Sequence, residues 1–482
     1  MKLILALHLS FLSFFCYTQV HKINDSLSFI NSTYLGGELR NFYGNYAPDT
    51  LEVIWKTYLG KGKTTISRKA GDRLWAGSGW TGQPLMIQEG DSLYLLQPTF
   101  NHSLKKISAI HGNIIWSSPF NDVLKGAGTI HYDAKTKQSL VFQGSRLGHG
   151  NFLDSLPVES FKAIAYDSGK TLWTHNSKMT SSYSRDVDGS CLVIDDTLYI
   201  GLENGLFTKM SPTETYLSDT IKRPIIYDQD TCYFRSDIKK YGGNLVTEGS
   251  ISRIGNKIYI PSGSGYLFEY DMNSDSIINK WFFGSDIDGS AVITKDSCIL
   301  VSIEKQYING KGGLVKINPR KTGKKAFEWY FPTENTSFTG WEGGVIGSSS
   351  VNYHSNIFPD KNLAVVAGID SLLYLLDTDQ LDTLKGWVDG PNKTYVYPTP
   401  TLLDSYRINR SISTPLLIGN KIIACGYQGV FLFQITPQIK LELLSHMRIG
   451  EIESTPFVWN GRIYIGSRNG YLYCLGRLNN KS

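Results

Sequence analysis

Gly461-Arg462-Ile463-Tyr464-Ile465-Gly466 runs through a short turn into Gly470-Tyr471-Leu472-Tyr473-Cys474-Leu475. Each half is a run of β-branched and aromatic residues, and glycine permits the tight reversal between them, so the stretch predicts a β-hairpin. The same pattern recurs at 255–260 into 265–271, at 419–424 into 429–433 and at 196–201 into 205–209. Weaker copies begin at Asp91, Gln138, Asp296 and Asn362. Self-similarity of this kind marks a repeat architecture, in which one supersecondary unit is copied along the chain.

A tryptophan follows most of the hairpins, at Trp55, Trp116, Trp173, Trp281, Trp329 and Trp387. The step from Trp173 to Trp281 is two periods, so a slot near Ile221 is empty; another empty slot lies near Leu443. Six filled and two empty slots predict eight repeats, each an inner strand, a hairpin and an outer strand. Such a sheet buries too little alone and packs face to face with its neighbours. Arranged radially, the repeats make an all-β, eight-bladed β-propeller of four-stranded antiparallel blades. The final hairpin has no strand after it, and the run 51–55 supplies one, so the N-terminal strand is expected to close the last blade and remove an open edge. The chain divides into a signal peptide (1–18), an N-terminal lead-in (19–50), one propeller (51–477) and a tail (478–482).

No helical periodicity of useful length follows the first residues. The segments 144–160, 209–247, 330–345 and 388–411 read as long loops, where binding residues tend to sit on a rigid scaffold. Lys2, the apolar run 3–15 and Cys16-Tyr17-Thr18 predict a cleaved leader and an exported, periplasmic or secreted protein. A lipid anchor on Cys16 would need a small residue before it, and Phe15 stands there. No later run is long and apolar enough to span a bilayer.

The 482 residues are 41% hydrophobic and 12% aromatic with 47 glycines, a globular composition rich in turn formers. The net charge of +5 is too small to argue for nucleic acid. Basic clusters at Lys61, Lys63, Arg68, Lys69 and Arg73, and at Arg320, Lys321, Lys324 and Lys325, read as solvated loops. Cys191, Cys232, Cys298, Cys425 and Cys474 form no Cys-x-x-Cys pair, so no metal or haem spacing exists; most fall in strand patterns as small buried hydrophobes.

Gly112-Asn113-Ile114-Ile115-Trp116 and Gly169-Lys170-Thr171-Leu172-Trp173 resemble the Gly-x-x-x-Trp docking motif of the quinoprotein-like (pyrroloquinoline-quinone repeat) propellers. The stretch 318–323 before Trp329 is a looser copy. Ser413-Thr414-Pro415 and Ser454-Thr455-Pro456 look like that family's inner-strand start, and 41–45 like its N-terminal lead-in. The resemblance spans residues 40–477 and implies that the recurring tryptophans are wedges between blades. Enzymatic members are dehydrogenases holding pyrroloquinoline quinone and calcium on the axis. In the alcohol-oxidising branch the quinone lies between a tryptophan and a disulfide of adjacent cysteines, and an Asp is the base. This chain has no adjacent cysteines and no Cys-x-x-Cys-His haem site. The sugar-oxidising branch lacks that disulfide too. A lipid-anchored member serves outer-membrane protein assembly.

No Gly-x-Ser-x-Gly elbow, His-Glu-x-x-His or phosphate-cradling loop is present. The resemblance is therefore read as to the non-enzymatic branch: a monomeric binding or scaffold propeller for a protein or glycan partner, with no catalytic residue and no cofactor expected. The alternative is a dehydrogenase dependent on quinone and calcium.

One column stands out when the inner strands are aligned on 454–456. The residue just before each reads Thr81, Ala127, Asp188, Glu248, Asp288, Ile346, Ile412 and Glu453. Asp186 and Asp286 stand two residues before Asp188 and Asp288. Equivalent positions converge on a propeller's channel, so these carboxylates are candidates for a cation or a basic ligand. They could equally accept hydrogen bonds from backbone N–H groups where a loop enters a strand. Trp80 and Trp341, each on a glycine-flanked loop before an inner strand, either stack on a ligand at the channel mouth or anchor their loops.

Overall fold

Every predicted hairpin forms the middle of a four-stranded antiparallel sheet in the computed structural model, which describes residues 20–152, 154 and 157–478. Eight such sheets form a ring. From inner to outer strand, blade 1 runs from Leu85–Glu89 to Ile114–Pro119, blade 2 from Thr129–Asp133 to Thr171–His175, and blade 3 from Leu192–Ile194 to Ile221–Thr231. Blade 4 runs from Ser252–Ile254 to Ser276–Phe282, blade 5 from Val292–Ile293 to Phe327–Pro332, and blade 6 from Ser350–Val351 to Pro400–Arg407. Blade 7 spans Leu416–Ile418 to Leu441–Met447. Blade 8 spans Phe457–Trp459 to Tyr471–Gly476 and takes Glu52–Tyr58 as its outermost strand, closing the ring as expected. The proposed leader, 1–18, lies outside the described residues. No described helix is long and apolar enough to cross a membrane.

The tryptophan wedges join consecutive blades by their indole N–H as well as by their bulk. Trp55 donates to the Ala109 carbonyl (3.2 Å), Trp116 to Tyr166 (3.0 Å), Trp173 to Pro212 (2.8 Å) and Trp329 to Thr378 (2.8 Å). In each of these outer strands the residue before the Trp is bulged out of register, which turns the indole toward the next blade. The glycine of the motif serves the preceding blade. A Cβ on Gly112 would lie 2.8 Å from the Trp55 ring, and one on Gly169 would lie 2.9 Å from the Trp116 ring. Both glycines also hold positive φ, at 78° and 70°. Gly169→Val is therefore expected to cost about 2–4 kcal/mol, from strained backbone plus overpacking. A thermal melt unchanged from the parent would show that the seat is not needed.

Two of the six tryptophans depart from the expectation. Trp281 is buried between blades 4 and 5, but its strand bulges earlier, at Ile278, and its indole N–H has no partner. Trp387 is not a wedge. It sits on a small hairpin, Trp387–Asp389 with Val396–Pro398, inserted between the third and outer strands of blade 6, and it is 67% exposed. The insertion fell near the repeat period, so spacing alone mistook it for an outer strand. The segment 209–247 is likewise no loop: Leu206–Ser218 and Ile221–Thr231 extend the outer hairpin of blade 3, and a six-residue helix, Arg235–Lys240, follows.

Around the axis, hydroxyls stitch the inner strands together. Ser250 Oγ accepts from Ser190 N, Ser290 Oγ from Ser250 N, Ser348 Oγ from Ser290 N, and Thr414 Oγ1 from Ser348 N, all at 2.8–2.9 Å. These are the second residues of the inner-strand motif, which explains why Ser or Thr recurs there.

The lead-in fills one end of the channel. His21–Asn24 and Leu27–Asn31 form a hairpin on the inner edge of blade 1, and the chain then bonds residues at the inner strands of several other blades. Tyr34 Oη bonds Thr414 and Thr455 of blades 7 and 8. Arg40, fully buried, donates Nε and Nη2 to the Ile251 carbonyl (2.8 and 2.6 Å) and Nη1 to the Tyr34 carbonyl (2.8 Å). Backbone N–H groups of Arg253, Ile293 and Val458 donate to Glu38, Leu39 and Tyr43.

Candidate functional site

At the other end of the channel the aligned column forms a cup of two characters. Ile346 and Ile412, from blades 6 and 7, pack with Trp80, Phe338 and Trp341 into an apolar half. Asp188, Glu248 and Asp288, from blades 3 to 5, form an acidic half. A cavity of about 280 Å³ lies between them, lined by the aromatic Trp75, Trp80, Phe100 and Trp341 and by the charged Lys125, Glu248, Asp288, Glu453 and Arg468, whose guanidinium lies over the Trp75 and Phe100 rings. Of the eight column residues, Glu248, Asp288, Ile346, Ile412 and Glu453 line this cavity, while Thr81, Ala127 and Asp188 are not part of its lining.

The carboxylates are held mostly by other side chains. Asp186 accepts from Arg146 Nε (2.8 Å) and from the Leu147 backbone (2.9 Å). Asp188 pairs with Lys125, and Glu453 accepts from Arg468 (2.6 Å) and Tyr427 (2.8 Å). Asp286 accepts from Asn244 Nδ2 (2.5 Å). Only Asp286 is served by a neighbouring backbone N–H, that of Ile287; the backbone donor to Asp186 lies 39 residues away in the chain, Asp188 and Glu453 depend on distant side chains, and Asp288 bonds Glu304.

Asp286, Asp288 and Glu304 place ligand oxygens within 4.8 Å of one another. Three buried carboxylates so close suit a hard divalent cation. Asn244 Oδ1 and Asp286 Oδ1 are both buried without a hydrogen-bond partner and flank Gly263, where a Cβ would stand 2.9 and 3.0 Å from them. These unspent acceptors fit the same group.

Burial sets the electrostatics. It pushes Asp286 up to about 6 despite the Asn244 bond, and Glu304 and Glu248 up to about 8. It also raises Asp288, helped by Asp286 and Glu304, and Glu203, helped by Asp188. Asp186 goes the other way, because Arg146 and Lys125 outweigh its burial. Burial would discharge Lys125, but Asp188, Glu203 and Glu248 hold it charged.

Glu203, Glu304, Lys125, Arg146, Trp75 and Phe100 were not singled out from the sequence. Glu203 and Glu304 stand just after the second strand of blades 3 and 5, a second column that the same alignment could have exposed. Lys125 and Arg146 come from irregular segments of blade 2 whose path no periodicity predicts. Trp80 and Trp341 do lie at the channel mouth.

An eight-bladed propeller with one end plugged and an acidic, aromatic cup at the other is thus the class that the fold defines. No protein-family model and no curated protein matches the chain. Solved structures share the fold. BamB from Moraxella catarrhalis is 11% identical with a TM-score of 0.51, over 90% of this chain and 99% of that one. A quinohemoprotein alcohol dehydrogenase from Comamonas testosteroni is 12% identical with a TM-score of 0.57, over 94% and 81%. The computationally designed Ika8 protein is 8% identical with a TM-score of 0.50, over 86% and 100%. At these identities the likeness is one of fold, held in common with a quinoprotein-type propeller.

Proposed function

We propose that this chain is an exported, non-catalytic glycan-binding propeller, with the axial cup as the site for one sugar unit. The observation that carries this is the division of the cup. Trp80, Trp341, Ile346 and Ile412 offer an apolar surface for a sugar ring face, while Glu248 and Asp288 offer acceptors for its hydroxyl edge. A concave site of this size favours a small ligand group over a flat protein surface. Calorimetry against an array-selected oligosaccharide is expected to show binding that Trp80→Ala and Trp341→Ala each weaken roughly tenfold, the worth of one stacked aromatic. Unchanged affinity in both variants would refute it.

The carboxylate triad favours a second reading, a dehydrogenase. Asp286, Asp288 and Glu304 would hold calcium, and Trp80 and Trp341 would offer apolar surface to pyrroloquinoline quinone, which when bound supplies two-electron oxidation. Titration with quinone and calcium, followed by dye reduction with alcohols and aldoses, separates the two; the glycan reading expects no dye reduction above a no-quinone control.

A further inference from the structure

We propose that a second cavity beside the axial one binds a hexuronate unit of the same glycan, with Arg410 reading its carboxylate; this rests on the glycan reading above. The second cavity, of about 510 Å³, is formed by the hairpin that carries Trp341 and by turns of blades 6 to 8. It shares Trp341, Glu453 and Arg468 with the cup. One chain of sugars can therefore run from the axis past Trp341 into it.

Its wall is aromatic. Phe338 stacks on Trp341 at 6.2 Å between centroids, and Tyr427 meets Phe338 edge-on at 4.6 Å. The Arg410 guanidinium lies over Phe338, 4.8 Å from its centroid. A stacked guanidinium is held flat and presents its N–H fork edgewise, the geometry that binds a carboxylate bidentately.

The charges single out Arg410. Glu453 is taken up by Arg468 and Tyr427. Glu451 is exposed, so water screens its repulsion. Among the described residues no carboxylate lies within ion-pair distance of Arg410, and its Nε is buried without a hydrogen-bond partner. Most other cations around the channel mouth have an acid: Lys125 has Asp188, Arg146 has Asp186, Arg468 has Glu453. An aromatic wall with one unspent guanidinium matches a unit that has both an apolar ring face and a carboxylate. Asn409 and Gln428 complete the lining with amides suited to hydroxyls.

The test is a printed array of neutral and hexuronate-bearing oligosaccharides, followed by calorimetry on the best of each with the full chain and Arg410→Gln. The expected result is preference for hexuronate-bearing chains, with Arg410→Gln lowering their affinity roughly tenfold or more, as loss of a charge-assisted bond pair implies. Affinity for neutral chains should hold within about twofold. Arg410→Lys keeps the charge without the fork and should recover only part of the loss. Equal binding of both glycan classes, untouched by Arg410→Gln, overturns this inference and leaves the glycan reading standing. No binding to any glycan overturns both. A melt of Arg410→Gln that matches the parent assigns any loss to the site rather than to folding.

Discussion

A variant lacking residues 20–50 but retaining the closing strand Glu52–Tyr58 is expected to lose cooperative thermal unfolding. The segment places Tyr34, Leu35, Phe42 and Tyr43 in the channel, all nearly or fully buried. Each contributes about 1.5–3 kcal/mol by burial, so their summed loss is comparable with the whole stability of a domain. The segment also spans the ring. It bonds blades 4, 5, 7 and 8 within a dozen residues, so it ties together sheets that otherwise meet only their neighbours. Arg40→Ala isolates part of this effect. It strands the Ile251 carbonyl and leaves a hole where a guanidinium was, at a cost on the order of 3 kcal/mol. Burial has already lowered that guanidinium to about 10, still charged at neutral pH, so Arg40→Lys keeps a charge but loses the fork and should also melt early. A deletion variant that melts like the parent would show that the ring stands without its plug.

The second large effect is a fall in melting temperature between pH 5 and pH 8 in the presence of a chelator. Asp286 rises in the fold from an ordinary 3.8 to about 6, and Glu248 and Glu304 from 4.5 to about 8. Between the ordinary and the folded values the folded protein holds more protons than the unfolded chain, so stability is lost as pH rises through that window. Several groups act together, and the loss is on the order of several kcal/mol. Asp186 has the opposite sign, its value being lowered, and acts only at more acid pH. Calcium should restore the melting temperature, and more so at pH 8, where the carboxylates it competes for are deprotonated. Asp286→Asn with Asp288→Asn should shrink the pH-dependent fall without removing it, because burial still raises Glu248 and Glu304, and should abolish the calcium effect. Scanning calorimetry across pH, with and without calcium, decides it; a calcium effect that survives the double substitution would place the cation elsewhere.

The sequence by itself determined the ring. The hairpins repeat because each blade must bury both faces, and Trp55, Trp116, Trp173 and Trp329 recur because each bulged outer strand needs a wedge against the next blade. Part of the acidic column was legible too: Glu248 and Asp288 occupy one register position and both line the axial cavity, whereas Asp188, at the same position, pairs with Lys125 and is not part of the lining. Tertiary structure alone decided the rest. Trp387 shares the spacing of a wedge yet stands on an inserted hairpin, because a repeat period counts residues and cannot see which strand pairs with which. Lys125 and Arg146 reach the cup along irregular backbone, where no period carries information. The course of 32–46 through the channel was equally hidden. Tyr34, Arg40 and Tyr43 look like surface polar or aromatic residues until eight blades surround them, and only a closed ring supplies the carbonyls and hydroxyls that make their burial favourable.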